Sequence, residues 1–191
     1  MPTGRESEMA PHEVPQPSIE RMVPFDGRPV VVGVVPHQDP LVLRTAESLA
    51  RTLGSPALHL AYADVSRYVV EEHPDGSVVH APMSPDSLDG DWTRTRDGLE
   101  AWAQDQLGSD GVPWHFHYLA GRPDRALTHL ARAVDACVLV VGTRTSGRGA
   151  QLREFVTGSV STHLAHHQHR PVLTVPLGVV DWKDLEGPWQ A

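Results

Sequence analysis

Residues 137–176, CVLVVGTRTSGRGAQLREFVTGSVSTHLAHHQHRPVLTVP, run through a strand, a glycine-rich loop, a helix start and a second strand in one unit. Cys137, Val138, Leu139, Val140 and Val141 form a short unbroken apolar run that stops at Gly142, the pattern of a strand covered on both faces of a parallel sheet. Gly142, Gly147 and Gly149 then let the backbone turn sharply and approach a ligand closely, because glycine has no Cβ. Gly158 and Ser159 lead into a helix in which Val160 and Leu164 lie one turn apart on one side. A helix start offers unpaired N–H groups and the positive end of the macrodipole, so the layout suits an anionic phosphate, with Ser159 and Ser161 as further hydroxyl donors. Locally, the same residues fit a plain surface loop capped by Ser159 equally well. The strand before the loop and the helix after it are the context that a phosphate site needs.

Working outward, the rest of the chain alternates strand and helix. Residues 30–35 (VVVGVV) predict a first buried strand. Asp39 and Pro40 then supply an N-cap and a first-turn proline, and Leu43, Ala46, Ala50 and Leu53 mark an apolar helix face that ends at Gly54. A second strand is expected over 57–63. A helix over about 92–107 follows, with Leu99, Trp102, Ala103 and Gln106 on neighbouring turns before Gly108. Residues 114–120 read as the third strand, and Leu127, Leu130, Ala131 and Val134 as the next amphipathic helix, before strands four at Cys137 and five at Val172. This is the pattern of an α/β fold with an open, doubly wound, parallel five-stranded sheet. Ligands of such sheets sit beyond the carboxyl ends of the strands near a topological switch point, which is where residues 33–36 and 142–149 fall.

One insertion interrupts the alternation. Residues 68–72 and 77–80 are β-prone and flank Pro74, Asp75 and Gly76, a hairpin signal. The inserted β-hairpin is expected to reach over the mouth of the cleft, to contact another subunit, or to be a surface flap.

At this point the segments resemble a known family. VVGTR, the glycine-rich loop and GSVSTHLAHHQHRPVLTVP are similar to the C-terminal half of universal stress protein (UspA-type) domains, in which a loop patterned G-x2-G-x9-G-(S/T) wraps the phosphates and ribose of ATP in the nucleotide-binding members. VVVGVV resembles the first strand, GRPDRAL at 121–127 the turn into the third helix, and DACVLVVGTR the acidic residue and fourth strand. The resemblance covers roughly residues 28–178 and is most specific at its C-terminal end. It implies a Rossmann-like, adenine nucleotide alpha hydrolase-like fold and a domain over 29–178 between two tails. It also implies a stress-response role and ATP, as Mg-ATP, as candidate ligand. The residues it brings to the ligand are Val34, Val35, Gly142, Thr143, Arg144, Gly147, Arg148, Gly149, Gly158, Ser159, Val160 and Ser161. A homodimer pairing through the last strand, residues 171–176, is implied as well, because that strand is otherwise an exposed edge.

Two departures bear on the ligand. Counting nine intervening residues back from Gly158 lands on Arg148, between Gly147 and Gly149. The nucleotide-binding members usually carry an aspartate at the end of the first strand, and here the matching residues are Val34, Val35 and Pro36. Three roles stay open for Arg148: to meet phosphate oxygens through its forked donors, to fill the pocket itself, or to sit in water as part of a solvated loop. A member that has lost the nucleotide and works as a dimeric interaction module is the alternative reading.

The 191 residues suffice for one well-buried α/β core. Residues 1–28 are rich in proline and read as a flexible tail, and 179–191 as a C-terminal one. No run has the length of a membrane span, and a formal charge of −8 disfavours nucleic acid and anionic membranes as partners. A single cysteine, Cys137, has no partner in the chain, which fits a reducing cytoplasm and a small buried hydrophobe. His163 and His167 have the i, i+4 spacing of metal ligands, but no glutamate follows the first as a metalloprotease helix requires, and no metal is assigned. The loop lacks the G-x-S-x-G of a nucleophile elbow and a Walker-type lysine, so no catalytic residue is assigned; weak ATP hydrolysis ranks last among the readings.

Overall fold

The computed structural model describes residues 18–84, 91–143 and 160–178. Arg144, Gly147, Arg148, Gly149, Gly158 and Ser159 lie outside the described residues, as do 1–17 and 179–191.

Strands β1 (Val30–Gly33), β2 (Leu58–Asp64), β5 (Trp114–Ala120), β6 (Val138–Gly142) and β7 (Val172–Val175) form one sheet in the order β5-β2-β1-β6-β7. Every pairing in it is parallel, as the alternation of strand and helix predicts. Val30 and Val32 face one core with Leu58 and Leu60, whereas Val31 faces the other with Ala61 and Leu139, following the two-residue period of a strand. Helix α1 (Leu41–Thr52) buries Leu43, Ala46 and Ala50 in the first core, joined by Ala103 and Leu107 of α2 (Asp91–Leu107). Helices α3 (Pro123–Ala133) and α4 (Val160–His167) cover the opposite face with Leu127, Leu130, Ala131 and Leu164.

Local chemistry sets the ends of these elements. Helix α1 begins one residue later than the sequence suggests: Pro40 is the cap, while Asp39 Oδ1 accepts the Leu41 N–H at 2.8 Å. It stops at Gly54, φ +60°, with Gly54 N–H bonded to Arg51 O and Ser55 N–H to Ala50 O, the two bonds of a Schellman motif. Strand β1 ends at Gly33 rather than at residue 35, because the Val35 N–H turns to the Gln38 side chain. Cys137 precedes β6 and is fully buried; burial pushes its thiol pKa up. In α4 only Leu164 is buried; Val160, placed on the same side by the sequence, is 37 % exposed at the helix's first residue.

The expected hairpin is present as β3 (Arg67–Glu72) and β4 (Val78–Pro82), antiparallel to each other. Its loop is a three-residue turn: Gly76 N–H donates to His73 O at 3.0 Å, His73 N–H to Ser77 O at 2.9 Å, and Asp75 Oδ1 accepts from the Ser77 amide and hydroxyl. Neither a lid over the cleft nor a loose flap describes it. Gly76 of the tip is buried against Leu130 and Ala133 of α3, with Pro74 and Asp75 exposed, and the half-buried Val78 packs against the core beneath that helix. The hairpin contacts β5 as well, covering the part of the sheet that α3 and α4 leave open.

Three imidazoles meet on neighbouring strands. His59 of β2 has its Nδ1 2.9 Å from Nε2 of His117, and its ring centroid lies 5.2 Å from that of His115. Burial, then the other two rings, lowers the His59 pKa to about 4; burial and His115 lower that of His117, against which the Asp75 carboxylate pulls. The fold thus favours neutral imidazole, and the associated stability is lost as pH falls below the ordinary histidine value. Between pH 7 and pH 5 we expect a loss of roughly 1–2 kcal/mol. Thermal melts across that range measure it, and His59→Gln removes part of the pH dependence.

Candidate functional site

The strand order locates the crevice. From β1 the chain winds outward through β2 to β5, then returns to the other side of β1 for β6 and β7. The winding reverses between β1 and β6, and the connections leaving their carboxyl ends part in opposite directions. Val34 and Val35 leave β1 there, and Thr143 follows Gly142 out of β6.

A side chain at either strand end would crowd its neighbours. A Cβ on Gly33 would lie 3.1 Å from Val141 Cγ1 and 3.3 Å from Leu127 Cδ1. On Gly142 it would lie 2.8 Å from Leu177 Cδ1, 3.0 Å from Val42 Cγ2 and 3.3 Å from Gln38 Nε2. Gln38 therefore bridges the crevice: Oε1 accepts the Val35 N–H at 3.0 Å while Nε2 stands over Gly142. The turn that carries it passes through His37 at φ +60°, a conformation uncommon for a residue with a side chain. On the other side Thr143 N–H donates to Val175 O at 2.8 Å, and Thr143 Oγ1 accepts the Leu177 N–H at 2.7 Å.

Of the residues expected at the site, Val34, Val35, Gly142 and Thr143 thus stand together at the mouth. Val34 is 3 % exposed and belongs to the core, while Val35 is 47 % exposed at the rim. Val160 and Ser161 open α4, which packs beside α3, β6 and β7. Gln38 and Leu177 are additions from the structure. A glutamine just ahead of a helix matches no ligand motif, and Leu177 lies beyond the last strand, so neither carries a signal in the sequence.

A second group gathers where β2 and β5 end. Tyr118 OH donates to Asp64 Oδ2 at 2.6 Å; burial, then that carboxylate, raises the phenol's pKa, so it stays protonated. Arg67, 5 % exposed, donates from Nε to His80 Nδ1 at 2.7 Å. Its guanidinium lies 5.6 Å from the Trp92 ring centre, with that of Arg96 at 5.2 Å, within the range of cation–π attraction. His80 meets Trp92 edge-on at 4.8 Å. These contacts fasten the hairpin's base to the start of α2.

A separate cavity of about 760 Å3 lies over α3, walled by the hairpin on one side and by His163 and His167 of α4 on the other. The two α4 rings stack with centroids 5.9 Å apart. Among the described residues no set of three His, Cys, Asp or Glu side chains is arranged to hold a metal ion, and no helix is long and apolar enough to cross a membrane.

A doubly wound α/β domain with its crevice between the first and fourth strands of the parallel sheet is the class this geometry defines. The Universal stress protein family profile matches residues 27–176, and the chain belongs to that family. No curated protein sequence matches it. Solved structures do. A universal stress protein from Archaeoglobus fulgidus superposes with a TM-score of 0.55 at 23 % identity, over 78 % of this chain and 98 % of that one. A complex of the universal stress protein from the same organism with dAMP gives 0.53 at 23 %, over 78 % and 97 %. A universal stress protein in complex with cAMP gives 0.51 at 20 %, over 80 % and 99 %. At these identities the likeness is one of fold.

Proposed function

We propose that this universal stress protein takes an adenine nucleotide, ATP with its magnesium, in the crevice between β1 and β6. Occupancy would bias a conformation or a partner contact, making the protein a cytoplasmic regulator of the stress response rather than an enzyme. The observation that carries this reading is the reversal of winding at β1 and β6, with Gly33 and Gly142 ending those two strands. In sequence the glycine-rich segment follows Gly142 directly, and glycine-rich stretches that lead into a helix suit phosphate oxygens. Structures of the same fold hold dAMP and cAMP. With no aspartate at the end of β1, Gln38 is the polar side chain left to meet the nucleoside, its Nε2 still able to donate while Oε1 holds Val35. Titration of nucleotide-stripped protein with Mg-ATP tests the proposal.

The second reading, a dimeric interaction module that binds no nucleotide, has its own observation. Strand β7 is an edge, Leu173 on it is 37 % exposed, and it borders a shallow groove with Arg44, Ser48 and Leu49 of α1. An edge with free backbone groups and an apolar side chain is a template for pairing. We expect a dimer by light scattering that Leu173→Arg converts to monomer. A wild-type monomer at all concentrations would remove this pairing.

A further inference from the structure

We propose that the outward face of α3 is a second binding site, separate from the crevice, for an elongated phosphate-bearing anion. Arg125, His129 and Arg132 follow one another at spacings of four and three along α3, so they form one stripe on the helix, and Arg122 stands at its N-cap. All four line the cavity of about 760 Å3 between the hairpin and α4. That volume falls within the range of small-molecule sites, about 300–1,000 Å3. Three arginines in one recess are a local reversal of sign in a chain of net charge −8.

One carboxylate of the recess is already engaged: Asp124 takes Arg122 through two hydrogen bonds, 2.8 and 3.1 Å. Glu72 of β3 lies 3.4 Å from the His129 imidazole. Arg125 and Arg132, both exposed, have no ion-pair partner among the described residues. They are seven positions apart, about 10 Å of backbone rise along a helix. Two arginines at that backbone spacing on one stripe, with an imidazole-bearing residue between, suit phosphate groups in a row, since the planar guanidinium fork matches phosphate oxygens in pairs. A short oligophosphate and the phosphate chain of a nucleotide share this chemistry. The cavity includes none of Gly33, Val34, Val35, Gly142 or Thr143, so the proposal stands or falls independently of the crevice.

The test uses the full chain and inorganic tripolyphosphate, titrated calorimetrically at low salt. Wild type is expected to bind, R125A/R132A at least about tenfold more weakly, and Gly142→Val as wild type. R125K/R132K, which keeps the charge without the fork, should fall between the two. Because both arginines are exposed, all these arginine variants are expected to melt like wild type. ATP titrated into Gly142→Val identifies the source: binding equal to that of tripolyphosphate assigns the site to free oligophosphate, and tighter binding to a nucleotide. No binding by wild type, or equal binding by R125A/R132A, would overturn the proposal.

Discussion

Gly76→Ala is expected to destabilise the fold by about 2–4 kcal/mol, a large effect for one methyl group at the tip of a hairpin. Two causes add. Gly76 has φ +83°, a conformation in which a Cβ crowds the following carbonyl. The new Cβ would also stand 2.6 Å from Leu130 Cδ1 and 3.1 Å from the Cβ of Ala133. Leu130 is fully buried and has no open space to swing into, so the hairpin must lift from α3 or the helix must shift. Gly54→Ala is the matched control: φ there is +60°, with nothing within 4 Å of the added atom, so only the conformational part, about 1 kcal/mol, remains. Urea unfolding of both variants measures the difference. Equal losses at the two positions would mean that the tip is not seated on Leu130.

Gly142→Val is the second large effect, and it falls on both stability and ligand. A Cβ at this position meets Leu177 and Val42 at 2.8 and 3.0 Å, and the branched methyl groups of valine extend further. Val42 is fully buried and held by α1, so Leu177 and Gln38 are the groups that must move. The expected loss of stability is about 1–3 kcal/mol. Displacing Gln38 also frees the Val35 N–H and fills the crevice, so Mg-ATP binding should fall to the level that tripolyphosphate alone produces while the protein remains folded. Undiminished binding in a folded Gly142→Val would place the nucleotide outside the crevice.

The parallel sheet was legible because its strands are short apolar runs separated by capped helices. Trp114–Ala120 occurs at the predicted bounds, and the other strands differ by one or two residues at their ends. At β1 the difference comes from a single hydrogen bond, from Val35 to Gln38, that no hydrophobic pattern encodes. The hairpin was legible from Pro74, Asp75 and Gly76, but not its docking, because contact with Leu130 joins residues far apart in the chain. The same holds for Arg67, His80, Trp92 and Tyr118, drawn from four elements into one cluster. At the crevice, the carboxyl ends of the first and fourth parallel strands pointed to residues 33–36 and 142–149, whereas glycine spacing landed on Arg148. Gln38 and Leu177 became visible only when folding brought the two strand ends side by side.

The measurement that bears most directly on the proposed function is calorimetric titration of nucleotide-stripped, full-length protein with Mg-ATP, beside AMP and cAMP, with Gly142→Val in parallel. Wild type is expected to show saturable micromolar binding of an adenine nucleotide, reduced in the variant to whatever tripolyphosphate alone produces. A wild-type protein that gives no heat with any of the three would contradict it, leaving Gln38 and Leu177 as the permanent occupants of the crevice.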